Sequence, residues 1–244
     1  MIAVVGFTAV LQSVFADESS CAAAGPQSPR DIDGAAGDNG VRFAKAPPST
    51  EMRLCNIHFH RNAEHKSAGY PDLAGEGSHA GYVCRGVKPG AEVNEASGCA
   101  GISAGDTVEV HWVFTTCDVK PGPTLASCTS SVCQNPQLRV EAKIFYLTEG
   151  EGADFATYDA DGGSQPVALP GSHGAVEYLG STTGTSFDNQ TCSPLQVTWR
   201  VRPTCGPLDK ASLDAWCADN VFDEDHAHGV RPLVTAPEHL AWIE

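Results

Sequence analysis

Residues 53–60 read Arg-Leu-Cys-Asn-Ile-His-Phe-His, and from the asparagine onward polar and apolar side chains alternate as in a half-buried β-strand. Alternating stretches recur three times along the chain, over residues 107–114, 138–147 and 195–201. Helical periodicity is scarce, and residues 208–217 are the best short candidate for a helix. These patterns predict a mainly β fold.

The chain has 244 residues, which fits one large domain or two small ones. It contains no internal repeat and no linker that separates two cores. Residues 17–44 are rich in Gly, Ala, Ser and Pro without periodicity, so they predict an irregular N-terminal arm. The simplest organisation is one β-dominated domain over residues 45–244.

The first sixteen residues, MIAVVGFTAVLQSVFA, carry no charged side chain and end in a small-residue cleavage pattern. This apolar run is shorter than the roughly 20 residues of a membrane-spanning helix, so residues 1–16 are predicted to be a signal peptide. The alternative is a buried N-terminal strand. All 10 cysteines follow this segment, and an even number in a chain rich in Gly and Pro indicates disulfides and an oxidising compartment. The sequence thus predicts a secreted, periplasmic or extracellular protein, with a disulfide pairing that spacing does not reveal.

The charge of the chain excludes two classes of partner. With 30 acidic and 15 basic residues, its formal net charge is -15. Nucleic acids and anionic membranes attract basic surfaces, so neither is an expected partner. No segment after the leader is apolar enough to cross a membrane.

Three histidines in two predicted strands form a candidate metal site. His58 and His60 stand two residues apart, so both imidazoles project from the same face of one strand. His111 lies in another strand, with Glu109 two residues before it on the same face. Three imidazoles with an open fourth position are the ligand set of a catalytic zinc site. Glu109 is placed to hold the second ring nitrogen of His111, as metal-binding histidines require.

Other interpretations remain open from the residues alone. A single histidine in a strand is often only a half-buried side chain. The spacing of His58, His60 and Glu64 also fits a cupin-like metal-dependent oxygenase, in which Glu64 would be a third ligand of iron. The stretch Asp-Glu-Asp-His-Ala-His at residues 223–228 is either a second metal cluster or a solvated acidic loop, and its dense spacing favours the loop.

Taken together, four segments resemble the carbonic anhydrases. Residues 56–66, NIHFHRNAEHK, resemble the segment that supplies two zinc histidines and then a Glu-His pair. Residues 109–113, EVHWV, resemble the segment with the third zinc histidine, and residues 138–145 resemble the strand that lines the carbon dioxide pocket. Residues 178–183, YLGSTT, resemble the loop that leads from a tyrosine to two threonines, and the later CSPLQVTWRV resembles the Trp-bearing strand that follows. The sequence of these motifs is most similar to the δ class. The resemblance spans roughly residues 53–201.

This resemblance implies a large central twisted β-sheet of the α-carbonic-anhydrase type with few short helices. It also implies reversible hydration of carbon dioxide to bicarbonate and a proton, by attack of a zinc-bound hydroxide. His58, His60 and His111 correspond to the ligands of one Zn²⁺, for which Co²⁺ or Cd²⁺ could substitute. Glu109 would orient His111, and His65 and Tyr178 would complete the surrounding hydrogen bonds.

The resemblance also assigns the groups around the substrate. Thr183, or less favourably Thr182, would accept a hydrogen bond from the hydroxide and donate one to Glu64. An apolar wall would hold carbon dioxide, and it would consist of Val113, Val140, Val197 and Trp199. Carbon dioxide is small and uncharged, so an apolar niche beside the nucleophile is enough to bind it.

Two departures from the α class leave roles unassigned. Residues 184–194 separate the two threonines from the Trp-bearing strand, which obscures the identity of the orienting threonine. No histidine lies between residues 17 and 57, where the α class has its proton shuttle. Another group must do that work, with His79 and His173 as candidates, or buffer must reach the zinc directly. A carbonic anhydrase-like binding protein without catalysis is the rival from another class, but no ligand or threonine is missing.

Overall fold

A computed structural model describes most of the chain. The described residues are 21, 24–34, 37–88, 98–159, 169–171, 173–182, 187–230 and 234–243. The predicted signal peptide at residues 1–16 lies outside them, so its prediction is not tested. Within these ranges, no helix is both long and apolar enough to span a membrane.

The described residues form seven strands and one α-helix. In chain order these are β1 (Arg53–Arg61), β2 (Asp72–Ala74), β3 (Gly81–Val83), β4 (Thr107–Thr115), β5 (Leu138–Thr148), β6 (Val176–Ser181), β7 (Gln196–Asp209) and α1 (Lys210–Ala218). Five strands build one mixed sheet in the order β1-β4-β5-β7-β6, while β2 and β3 pair separately. Within the sheet, β5 and β7 are parallel and the other neighbours are antiparallel.

The predicted fold class is confirmed: the chain is mostly β, with a large central sheet, few short helices and five disulfides. Each of the four alternating segments is a strand, and residues 208–217 contain most of α1. Two features differ from expectation. Residues 176–181 form a strand, and β7 continues to Asp209 through two prolines. Within the described residues the pairing with β6 ends at Val201, and the next bridge on that side joins Leu208 to Ala153. The prolines lie along this mostly unpaired edge, where a missing backbone donor is tolerated.

The two faces of the sheet carry different layers. One face bears Phe59, Val110 and Trp112, and α1 packs against this core through Leu213 and Trp216. The opposite face bears the three candidate metal histidines together with a second apolar cluster that contains Val113, Val140 and Trp199. Because side chains alternate between the two faces along each strand, one face forms an apolar core and the other carries the candidate metal histidines.

All 10 cysteines are paired, as the even count predicts. The pairs are Cys21–Cys192, Cys55–Cys128, Cys84–Cys205, Cys99–Cys217 and Cys117–Cys133. A register shift between Leu54 and Asn56 places a bulge at Cys55. The bridge from this bulge to Cys128 ties loop 117–137 to β1 beside the histidines.

Candidate metal centre

Sheet register brings the three histidines together. His58 on β1 is directly opposite His111 on β4, and His60 is directly opposite Glu109. Residues that face each other across an antiparallel pair project to the same side. Two neighbouring strands therefore present three imidazoles and one carboxylate at a single point of the sheet.

The imidazole nitrogens converge as ligands of one ion would. One nitrogen from each of His58, His60 and His111 lies within 4.8 Å of the other two. His58 Nε2 and His111 Nδ1 are 3.2 Å apart. Two nitrogens bound tetrahedrally at the usual zinc distance are about 3.3 Å apart, so this spacing suits zinc.

The second nitrogen of each ring is held from behind. His58 Nδ1 donates to Asn56 Oδ1 at 2.6 Å, and His60 Nδ1 donates to the Gly229 carbonyl at 3.1 Å. His111 Nε2 contacts Glu109 Oε1 at 3.0 Å, at an angle outside ideal hydrogen-bond geometry. Because these anchors all take the protonated nitrogen, each ring turns a lone pair towards the common point.

Burial supports the same protonation state. His60 and His111 are both 2% exposed. Burial lowers the pKa of His60 to about 4, although Glu64 opposes the shift, so this imidazole is neutral near pH 7. Three neutral imidazoles without a carboxylate are the donor set that zinc takes in catalytic sites. The donor set, the nitrogen spacing and the anchored rings therefore fit the metal that the resemblance implies.

Glu109 organises the layer behind the ligands. Its Oε1 accepts from His65 Nδ1 at 2.6 Å, and its Oε2 accepts from the backbone amides of Glu64 at 2.6 Å and His65 at 3.2 Å. Burial opposes the charge of this carboxylate, but the facing His65 and His111 hold its pKa well below the usual range. Glu109 is therefore a buried anion with donors on both oxygens.

Tyr178 extends this layer across the sheet to β6. Its hydroxyl is 2.7 Å from His65 Nε2. Burial raises the pKa of Tyr178 well above its ordinary value, so the phenol keeps its proton. Since His65 already donates from Nδ1 to Glu109, its Nε2 accepts from Tyr178. Two hydrogen bonds, from Tyr178 to His65 and from His65 to Glu109, hold the carboxylate that contacts His111.

Glu64 lies behind His60 and not among the converging nitrogens. Its Oε1 is 3.6 Å from His60 Nδ1, the nitrogen that points away from the other imidazoles. In the described chain, the groups that could hold a metal contain Glu109 or histidines but not Glu64. This placement weighs against the cupin arrangement, which needs Glu64 as a ligand.

A cavity of about 590 Å³ opens in front of the histidines. Its lining residues are Asn56, His58, His60, His111, Val113, Pro123, Thr124, Leu125, Ala126, Val140, Thr182, Trp199, Phe222, Asp223, Glu224, His226 and His228. Trp199 is fixed in this wall because its Nε1 donates to the Ser181 carbonyl at 3.0 Å. The fourth residue of the predicted apolar wall, Val197, is fully buried and is not part of the lining.

The structure describes only one of the two candidate orienting threonines. Thr183 lies outside the described residues. Thr182 lines the cavity and is buried, with its hydroxyl 2.9 Å from the Ser193 hydroxyl. Its backbone amide donates to the Leu195 carbonyl, so the segment that carries it is fastened to the start of β7.

Sequence reasoning missed several residues of the site. Asn56 stands two residues before His58 on the same strand, and that period-two spacing could have identified it. Gly229 offers only a carbonyl, which has no sequence signature. The interpretation of residues 223–228 as a solvated acidic loop is only partly right. The side chain of Asp225 is 76% exposed, whereas Glu224 is buried, and this loop lines the cavity.

The chain is similar to known proteins over most of its length. The family model described as delta carbonic anhydrase matches residues 49–212, more than half of the chain. No curated protein matches the sequence. One similar solved structure is the α-carbonic anhydrase of Thermovibrio ammonificans with the inhibitor sulfanilamide, at 14% identity over 86% of each chain and a TM-score of 0.34. Another is a halotolerant carbonic anhydrase of Dunaliella salina, at 15% identity over 91% of this chain and 88% of that one, with a TM-score of 0.33.

Proposed function

The chain belongs to the delta carbonic anhydrase family, and from this premise we propose that it is an enzyme, a lyase, that hydrates carbon dioxide reversibly to bicarbonate and a proton. The observation that carries the proposal is the convergence of His58, His60 and His111 on one point at the floor of an open cavity. One Zn²⁺ is the proposed cofactor, with Co²⁺ or Cd²⁺ as possible substitutes. When bound by three neutral imidazoles, zinc lowers the pKa of a water ligand to about 7, which supplies a nucleophile at neutral pH.

The hydrogen-bonded layer keeps the ligand atoms in position. Glu109 holds His111 and His65 through one oxygen and the turn at Glu64 through the other. Tyr178 prevents His65 from rotating. A ring held in this way loses little freedom when a metal binds, and outer partners of this kind typically affect metal affinity by about 10–100-fold.

The substrate would lie against the apolar wall of the cavity. Val113 and Val140 are register partners on β4 and β5, and Trp199 is the partner of Val140 on β7. These three side chains therefore form a continuous strip beside the histidines. A small, uncharged molecule needs no charged group to bind there. The assignment of Val197 to the same wall rests on the resemblance alone.

Thr183 and Glu64 form the proposed orienting pair. A threonine hydroxyl that donates its proton to a carboxylate can only accept from its other neighbour, and this fixes the direction of the attacking oxygen. Burial opposes the charge of Glu64, but His60 and His111 lower its pKa, which keeps the carboxylate available as an acceptor. Thr182 is the second choice, because its hydroxyl already faces Ser193.

The proposed compartment is oxidising and extracellular, and the proposed partner is the small-molecule substrate itself. The five disulfides support this location, since reducing compartments keep thiols free. A signal peptide at residues 1–16 would direct the chain there. Nucleic acid is not proposed as a partner because the net charge is -15.

Stopped-flow hydration of carbon dioxide by the purified protein tests the function. We expect hydration to be lost after treatment with a chelator, to return with Zn²⁺, and to be lost in His111→Ala. The matched control is His173→Ala, because His173 is exposed and does not line the cavity. Hydration indifferent to chelator and to His111→Ala would refute the zinc mechanism.

Two further outcomes identify the rival functions. Zinc bound at one ion per chain without any hydration would indicate a binding protein. Glu64→Gln should retain zinc and hydrate slowly. Loss of the metal in that variant, with iron as the native ion, would indicate the cupin arrangement.

A further inference from the structure

The proposed reaction releases one proton per turnover. This proton is released at the floor of the cavity, beside the three candidate metal histidines. His60 and His111 are each only 2% exposed and His58 is half-buried, so the floor of the cavity is set back from the protein surface. A group at the rim must collect the proton if turnover is to be fast. Besides the three metal histidines, the titratable groups on the described cavity wall are Asp223, Glu224, His226 and His228.

Glu224 and His228 are held in place and cannot swing between the interior and solvent. Glu224 Oε1 accepts from the Phe59 amide at 3.1 Å, and its Oε2 is 3.0 Å from His228 Nε2. The backbone of His228 bridges to β1 on both sides, since its amide donates to the Phe59 carbonyl and its carbonyl accepts from the Arg61 amide. The His228 ring lies 5.8 Å from the His58 ring and 5.9 Å from the His60 ring, measured between centroids.

His226 has a different position, at the boundary between cavity and solvent. Its side chain is 56% exposed, and its ring centroid lies 5.0 Å from that of His228. Its Nδ1 is 2.6 Å from Asp225 Oδ1. Within the described chain Nε2 has no hydrogen-bond partner, so it is open to water and to buffer.

Imidazole is the side chain that gains and loses a proton between about pH 6 and 8 under ordinary conditions. We propose that His226 is the proton-transfer residue of this protein, an inference that rests on the proposed hydration reaction. The cavity is roomy enough for several water molecules, which can carry a proton from its floor to its rim. Neutral His226 accepts that proton at Nε2 and becomes an imidazolium. A buffer base then removes the same proton, and the ring returns to its starting state.

The groups that face His226 suit both halves of this cycle. Asp225 holds Nδ1, and the hydrogen bond from His226 lowers the pKa of that carboxyl, so an anion stands beside the ring when it is charged. His228 is the inner neighbour, with Glu224 behind it, and Asp223 lies on the same wall. On the other side His226 pairs through its backbone with Ala100, which carries no charge.

Neither histidine considered from the sequence alone occupies such a place. His79 belongs to a short 3₁₀ turn, Gly77–His79, and His173 lies on the surface. Both are absent from the cavity lining in the described part of the chain. The dense cluster at residues 223–228, which sequence reasoning set aside as a solvated loop, therefore supplies the candidate.

The test is the buffer dependence of hydration in His226→Ala. At low buffer concentration we expect kcat to fall at least about tenfold, because general acid–base groups typically contribute that much or more. kcat/KM for carbon dioxide should not change, and added imidazole should restore kcat. The matched control, His173→Ala, should keep the buffer dependence of the unmodified protein.

A second measurement does not depend on activity. The zinc content of His226→Ala should equal that of the unmodified protein. Unchanged buffer dependence in His226→Ala, or a zinc content below that of the unmodified protein, would overturn the proposal alone. Absence of hydration at every buffer concentration in the unmodified protein would overturn the proposed function together with it.

Discussion

The charge of Glu109 can be tested by Glu109→Gln, which keeps the size of the side chain and replaces one acceptor oxygen by a donor. In one orientation the new amide nitrogen faces the backbone amides of Glu64 and His65. In the other it faces His65 Nδ1 and His111 Nε2. Two donors meet the amide nitrogen in either case, and each unsatisfied buried donor costs about 1–3 kcal/mol. We therefore expect a loss of about 2–6 kcal/mol in the free energy of unfolding.

The same substitution should reach the metal through His111. Loss of a group that orients a ligand lowers metal affinity by about 10–100-fold. Chemical denaturation of the metal-free protein with intact disulfides measures the stability, and competition with a chelator measures zinc affinity. The control is Glu149→Gln, since Glu149 is exposed. If stability and zinc affinity both equal those of the control, the role given to Glu109 is wrong. Reduced stability with unchanged zinc affinity would leave it a structural role only.

Three further predictions follow from the same structure. Tyr178→Phe removes the donor to His65 Nε2, and denaturation should show a loss of about 1–3 kcal/mol; an unchanged midpoint would contradict the assigned hydrogen bond. Replacement of both Cys55 and Cys128 by Ser opens a bridge between residues 73 apart in sequence, so denaturation should show a loss of up to about 4 kcal/mol. Burial and the nearby Arg202 lower the pKa of Lys143 to about 8. Amine labelling followed by peptide mapping should therefore show that the labelling rate of Lys143 rises with pH, with a midpoint near pH 8. A midpoint at the ordinary lysine pKa would refute this assignment.

The sheet was largely predictable from sequence because one face of its strands carries an apolar core and the other carries polar side chains of the site, which leaves a period-two signal. β1, β4 and β5 are each at least nine residues long, so the alternation extends over several pairs of residues. β6 is only six residues long and contains a glycine, which weakens such a signal. The far end of β7 is stabilised by pairing with β5, and a non-local partner of this kind leaves no trace in the local sequence.

The candidate site, too, was predictable from the sequence only in part. The two-residue spacing of His58 and His60 determines their common face, and the alternating strand that carries Glu109 supplies His111 as the third candidate. The family likeness then assigned all three histidines to one ion. Asn56 follows from the same spacing once the site is recognised. The disulfide from Cys55 to Cys128 could not be predicted, because spacing alone does not select among the possible pairings.

Part of the site lies in the loop at residues 222–229, beyond residues 49–212 that the family model matches. Its contribution to the ligands is the Gly229 carbonyl, which accepts from His60 Nδ1. Any residue offers a carbonyl, but here only glycine fits, since a Cβ at position 229 would lie 2.5 Å from the Ser78 carbonyl oxygen. We expect Gly229→Ala to displace this carbonyl, free the His60 ring and weaken zinc binding by up to about 100-fold. Gly40→Ala, where a Cβ meets nothing within 4 Å, is the control in the same chelator competition. Equal zinc affinities of the two variants would show that His60 does not depend on this anchor.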